Sequence, residues 1–263
     1  MMIALTREVS DSIAHCQLSF VGRTPIDVAL AERQHHEYQK ALLTLGCRVE
    51  SLPAQHDLPD AVFVEDVALV FDEIAICTRP GAESRRAEVA SVAQVLERYR
   101  PIYAIESPGT IDGGDVLRIG RTIYVGQSAR TNASGTDQLR ELVSEAALPG
   151  RGYTVIPVTT RGCLHLKSAV TQVADDAVLI NPEWVDAAGF ASFRQIEVDA
   201  NEEHAANAVR IGSSLIYPTS FPRTQKKLMD AGIPVTAVDV SELQKAEGAV
   251  TCCSLVFRES IVR

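Results

Sequence analysis

Cys252, His165 and the acids Asp60, Glu65 and Asp66 are the residues of this sequence that can do chemistry together. A thiolate is a nucleophile, an imidazole moves protons near neutrality, and a carboxylate orients or anchors positive charge. The acids outnumber what orienting one histidine needs. A surplus of carboxylates suits a planar cation with several N–H donors, which is a guanidinium. Thiolate attack on its central carbon gives a tetrahedral adduct, and His165 can protonate the departing amine and later deprotonate water. Each residue also has a plainer role open to it. A cysteine in an apolar strand packs as a small hydrophobe. A histidine in Leu164-His165-Leu166 can be a satisfied core residue, and Asp112-Gly113-Gly114-Asp115 can be only a turn. Glu65-Asp66 between apolar runs is the odd feature, since such acids are costly to bury without a partner.

What must position these residues is a repeat of pattern rather than of letters. Five times a short polar signature precedes a strand, a tight turn and a second strand, and four of the turns carry the Gly or Asp that signals a hairpin. The strand pairs are 67–70 with 74–77, 116–119 with 122–125, 169–173 with 177–180, 209–211 with 214–217, and 253–257 with 261–262. The polar markers Asp66, Asp115, His165, Asn207 and Cys252 lie 49, 50, 42 and 45 residues apart. A period of this size indicates a propeller or solenoid. Helical patterns at 25–45, 83–98, 131–147 and 220–231 are followed by strands at 48–52, 102–105, 153–158 and 235–240, and the unit around 193–198 has a short helix or none. One hairpin–helix–strand unit cannot bury its own apolar faces, so the units must stack. Equivalent positions then bring all five markers to one pole of the ring. On a strand, Cys252 and Cys253 face opposite ways. Cys252 shares its row with Ser254, and Cys253 shares its row with Leu255 and Phe257, so Cys252 is expected to face the site and Cys253 the core.

Composition narrows the partners. The 263 residues are 46% hydrophobic and carry 25 Lys+Arg against 34 Asp+Glu, a formal net charge of −9. That is globular, excludes disorder, and with no basic run argues against nucleic acid. No segment approaches the roughly 18 apolar residues of a membrane span, and the N-terminus lacks a signal-peptide pattern. Six cysteines without a Cys-x-x-Cys pair fit free thiols in the cytoplasm rather than a structural zinc. The expectation is one α/β domain over 1–263, with no metal or cofactor.

The segments 58–66, 78–86, 126–132, 164–167 and 248–252 resemble the dimethylarginine dimethylaminohydrolases, in order and over nearly the whole chain. They include Val64-Glu65-Asp66, Arg85-Arg86, Arg130-Thr131-Asn132, Leu164-His165-Leu166-Lys167 and Val250-Thr251-Cys252. The resemblance implies the five-bladed α/β propeller of the guanidine-modifying (pentein) superfamily. It also implies hydrolysis of Nω-methylated arginines to citrulline and a methylamine. It makes Cys252 the nucleophile and His165 the general acid/base. Asp60, Glu65 and Asp66 become the substrate-binding acids, with Asp66 and Glu65 on the guanidinium. Arg85 and Arg130 become pocket arginines, at least one of them for the substrate carboxylate. Leu18 matches a lid-loop leucine, although the lid at 11–23 is poorly matched. Ala246 stands where the family offers a backbone carbonyl from a larger apolar residue. The implied partner is a small guanidine amino acid, and a homodimer is compatible with the resemblance. The rivals are another guanidine enzyme (arginine deiminase, citrulline hydrolase or amidinotransferase) and a non-catalytic binding propeller.

Overall fold

Runs that are apolar at every position, such as Ala177–Ile180 and Leu215-Ile216-Tyr217, cannot be half-exposed strands, since both faces must be covered. The computed structural model, which describes residues 1–144 and 147–259, shows how. Strand β1 (Met2–Arg7) is followed by helix α1 (Val28–Thr44) and strand β2 (Cys47–Leu52). The next unit is β3 (Ala68–Val70), β4 (Ala75–Cys77), α2 (Val89–Leu96) and β5 (Ile102–Ala104), and then β6 (Val116–Ile119), β7 (Thr122–Gln127), α3 (Ala133–Leu142) and β8 (Thr154–Thr159). A short α4 (Leu166–Ala169) introduces β9 (Val170–Gln172), β10 (Ala177–Ile180) and β11 (Arg194–Glu197). The last elements are β12 (Val209–Ile211), β13 (Ser214–Pro218), α5 (Pro222–Asp230), β14 (Val235–Val238), α6 (Ser241–Gln244) and β15 (Leu255–Arg258).

These strands form five three-stranded sheets. In four of them an antiparallel hairpin is joined by a parallel third strand that returns after a helix or a short turn: β3–β4–β5, β6–β7–β8, β9–β10–β11 and β12–β13–β14. The fifth sheet corrects the sequence reading. β15 pairs antiparallel with β1, from Met2 opposite Arg258 to Leu5 opposite Leu255, and β1 pairs parallel with β2. The second strand of the fifth hairpin is therefore the N-terminal segment. The strand expected at 261–262 lies outside the described residues. The unit around 193–198 has only the 3-10 turn Ala187–Phe190 for a helix, as its pattern indicated.

Each sheet shares a core with the next one, and the last shares a core with the first. Successive residues feed alternate cores, because strand side chains alternate faces. Val178 and Ile180 pack against Leu117 and Tyr124 of the preceding sheet, while Ala177 and Leu179 pack with Leu215 and Tyr217 of the following one. Ile3 and Leu5 join Ala68 and Ala75, whereas Ala4 joins Val209 and Ile216. Among the described residues, no helix is long and apolar enough to cross a membrane.

Candidate active site

The five polar markers occupy one kind of place, a tight turn just ahead of a first strand. Asp66 lies in the 3-10 turn Val64–Val67 and Asp115 in Gly113–Asp115, while His165 precedes α4. Asn207 and Cys252 stand ahead of β12 and β15. From sequence, Cys252 is expected at the start of a strand. The chain turns there, with Cys252 N–H donating to the Ala249 carbonyl at 3.2 Å, and the strand begins at Leu255. Strand alternation thus does not separate the two cysteines. Burial does: Cys253 is fully buried in the core, and Cys252 is half-buried on a pocket wall.

A closed circuit of hydrogen bonds ties these turns together. Asp66 Oδ1 accepts from Gly114 N–H at 2.9 Å, and Asp115 Oδ1 accepts from Leu166 N–H at 3.0 Å. Asn207 Nδ2 donates to the Lys167 carbonyl at 3.0 Å, and its Oδ1 accepts from Thr251 N–H at 3.1 Å. Glu65 N–H donates to the Cys252 carbonyl at 3.2 Å, which returns to the first turn. Buried backbone groups need partners, and here each unit supplies the next one's. Asp115 and Asn207 are engaged in this circuit and do not line the pocket, so three of the five markers reach it: Asp66, His165 and Cys252.

That pocket is a cavity of about 20 Å³. Its walls hold seven of the expected site residues: Cys252, His165, Asp60, Asp66, Arg85, Arg130 and Ala246. Leu18 is not a wall residue. It packs half-buried against the core, and its neighbour Gln17 lines the pocket and donates N–H to both Asp60 carboxylate oxygens at 3.2 Å.

Glu65 is not brought in either. In the 3-10 turn its side chain leaves on the side opposite the pocket, where Oε1 meets Lys167 Nζ at 2.6 Å and Oε2 accepts from Thr251 Oγ1 at 2.7 Å. It lines a separate cavity of about 350 Å³. Geometry therefore places the Glu65 carboxylate under the site rather than in it, against the expectation that it grips the guanidinium.

His165 sits between carboxylates. Nε2 is 3.1 Å from Asp112 Oδ2, and Nδ1 is 3.8 Å from Asp66 Oδ1. Burial pulls its pKa down, but Asp66, the hydrogen bond to Asp112, and Asp115 outweigh that and raise it to about 9. Close packing holds the ring in place. A Cβ on Gly114 would stand 2.4 Å from Nδ1, so only glycine fits there. Asp112 is the residue that sequence reasoning missed. Its flanking Gly113-Gly114 reads as a turn, and no local signal separates a turn acid from a histidine partner.

Burial raises the pKa of Asp66, yet His165 and the Arg85 guanidinium, 2.5 Å away through Nη1, hold it down at about 2. Arg85 is heavily committed. Nε and Nη2 bond Glu88, and Nη2 also reaches the Asp60 and Phe63 carbonyls. Arg130 is freer, with Nη2 on Ser19 Oγ at 3.1 Å and Nη1 3.8 Å from Asp112. Burial, then the Glu65 and Asp66 carboxylates, push the Cys252 thiol well above its ordinary pKa. Asp66, Asp112 and His165 offer ligand atoms within 4.8 Å of one another, a set that can hold a cation.

A family model described as N,N dimethylarginine dimethylhydrolase, eukaryotic, matches residues 5–258. The chain is 41% identical over 259 residues to N(G),N(G)-dimethylarginine dimethylaminohydrolase of Streptomyces coelicolor, covering 97% of each. Among solved structures, DDAH from Pseudomonas aeruginosa, a cysteine-to-serine variant complexed with citrulline, superposes with a TM-score of 0.90. Its identity is 36%, over 97% of this chain and 98% of that one. A dimethylarginine dimethylaminohydrolase histidine-to-glycine variant, as its adduct with S-methyl-L-thiocitrulline, superposes with a TM-score of 0.89 at 36% identity. The overlap there is 98% of this chain and 100% of that one.

Proposed function

Because the chain belongs to the dimethylarginine dimethylaminohydrolase family, we propose that its pocket converts Nω-methylated arginines to citrulline with Cys252 as nucleophile and His165 as acid and base. The protein is a hydrolase of amidine C–N bonds, acting on a small guanidine amino acid. The observation that carries the reading is that Cys252, His165 and Asp66 line one pocket, with Asp112 behind the imidazole at 3.1 Å from Nε2.

Asp66 is ionised at neutral pH and takes the guanidinium. The Cys252 thiol starts protonated, since burial and two carboxylates oppose its charge. An arriving cation offsets those carboxylates and favours the thiolate, whose proton leaves to solvent. The sulfur then bonds to the guanidinium carbon. His165 Nε2 is tied to Asp112, which leaves Nδ1 to give its proton to the departing dimethylamine as the C–N bond breaks. A cationic amidine thioether remains on Cys252. Water attacks it, passing a proton back to His165. The C–S bond breaks, the thiolate is restored, and citrulline leaves with its excess proton carried off by the amine.

At the other end of the substrate, Arg130 receives the carboxylate, while Asp60 and the Ala246 carbonyl receive the amino group. Arg85 serves chiefly to keep Asp66 charged. We read the five sheets as the blades of a single-domain propeller closed by β15 on β1. Cytoplasmic residence is supported by six unpaired cysteines. The test is incubation with asymmetric dimethylarginine, monomethylarginine and arginine, with citrulline measured. Citrulline from the methylated forms is expected; citrulline from arginine alone would make the protein a deiminase.

A further inference from the structure

The segment 17–23, between the 3-10 turn Asp11–His15 and α1, meets the pocket at Gln17, and its anchoring has an unusual chemistry. Three successive backbone N–H groups, those of Ser19, Phe20 and Val21, all donate to the Glu247 carboxylate, at 2.9 Å from Ser19 and 2.7 Å from Val21. Such a row of N–H groups is a concave anion site, and here the anion is a side chain from the opposite wall. Glu247 is also the only non-glycine residue in the left-handed region among the described residues, with φ of 57°. A residue with a Cβ adopts that conformation only where surrounding contacts enforce it. Its neighbours leave little freedom. Ala246 is a buried pocket wall, and a Cβ on Gly248 would meet the Phe63 ring at 2.2 Å.

Two further contacts bind the segment to the groups that receive the amino-acid end of the substrate: Gln17 N–H on Asp60 and Ser19 Oγ on Arg130. Its far end is pinned by Arg23 on the Ala14 and Cys16 carbonyls. With the segment down, the cavity of about 20 Å³ holds about one water and no methylarginine. A bound methylarginine therefore requires a wall to move, and residues 17–21 are held down by side-chain contacts from Asp60, Glu247 and Arg130.

We propose that Glu247 is the latch of this segment, a positioning residue that sets how often the pocket opens and how firmly it closes over the α-amino carboxylate of the substrate. This rests on the assignment of Asp60 and Arg130 to that end of the substrate. The latch itself is a property of the free protein. The strained backbone is retained because it aims the carboxylate at the three N–H groups. In Glu247→Gly the strain goes and the latch goes with it. In Glu247→Gln the charge alone is lost.

The experiment is amide hydrogen exchange of the intact protein without substrate, read by mass spectrometry over residues 17–23. Exchange at Ser19, Phe20 and Val21 should quicken about tenfold or more in both variants, through easier local opening. Exchange in β3–β4 should hold, and Glu247→Gly should keep its melting temperature. Glu247→Asp, whose shorter carboxylate still carries the charge, should recover part of the protection. Unchanged exchange at 19–21 in both variants overturns the latch, whatever the enzyme acts on. Quickened exchange in a protein that makes no citrulline leaves the latch standing and removes the assigned substrate. In active variants the loss should fall on KM, by about tenfold, with kcat moving far less. A loss confined to kcat would instead make Glu247 part of the chemistry and overturn the positioning role.

Discussion

Asp112→Asn tests whether His165 is charged because of its carboxylate neighbours. The replacement keeps an oxygen for Gly81 N–H, which Asp112 Oδ1 accepts at 2.9 Å, and puts an amide NH2 in place of the oxygen beside Nε2, so the negative charge and the acceptor are lost together. A hydrogen bond to a charged group contributes about 1.5–3 kcal/mol. At about 1.4 kcal/mol per pKa unit, losing it lowers the His165 pKa by about 1–2 units, from about 9 toward 7–8. The assay is an NMR pH titration of the histidine ring signals, with His165 identified by its absence in His165→Gln. Stability gives a second readout. The folded pKa of His165 lies above its unfolded value of 6.5, so its contribution is fully present below about pH 6.5 and lost as pH rises through about 9. Urea unfolding across that window should show a shallower decline in Asp112→Asn than in the parent. An unshifted titration would refute the reasoning and leave Asp66 and Asp115 as the source of the charge.

Cys252→Ser should abolish turnover, because an unactivated hydroxyl is a far weaker nucleophile than a thiolate, while Cys253→Ser should stay active and lose mainly stability. Alkylation that substrate protects against should map to Cys252 only, and protection of Cys253 would reverse the assignment. Asn207→Leu opens the hydrogen-bond circuit and strands the buried Thr251 N–H, so chemical denaturation should register a loss of about 1–3 kcal/mol; parent-like stability would show that the circuit is not a structural tie. Gly114→Ala drives a methyl into His165 Nδ1 and should cost about a hundredfold in kcat through misplacement of the ring, and a variant with parent kcat would show that the ring has room to move.

The hairpins β3–β4, β6–β7, β9–β10 and β12–β13 were legible because both strands and their turn are adjacent in sequence and carry a local signal. The fifth was not, since β15 finds its partner β1 at the other end of the chain and no local pattern encodes that pairing. Cys252, His165 and Asp66 could be singled out because residue type and repeat position agreed. Asp115 and Asn207 held the same position but were used as ties between units, and type alone does not distinguish a tie from a ligand. Glu65 and Asp66 diverge because a 3-10 turn rotates consecutive side chains by about 120°, sending one down to Lys167 and the other into the pocket. Arg85 and Arg130 read alike as cations. Only the bonds from Arg85 to Asp66 and Glu88 show how little of it is left for a substrate.

The proposed reaction turns on a covalent bond between Cys252 and the substrate carbon. His165→Gly, which removes the proton donor and the base for water, can be mixed with S-methyl-L-thiocitrulline, whose methanethiolate leaves without a proton from His165, and followed by intact mass and peptide mapping. The predicted result is an adduct equal to the probe less methanethiol, located on Cys252 and accumulating because its hydrolysis lacks the base. An unmodified protein that nevertheless releases citrulline, or an adduct on any residue other than Cys252, would contradict it.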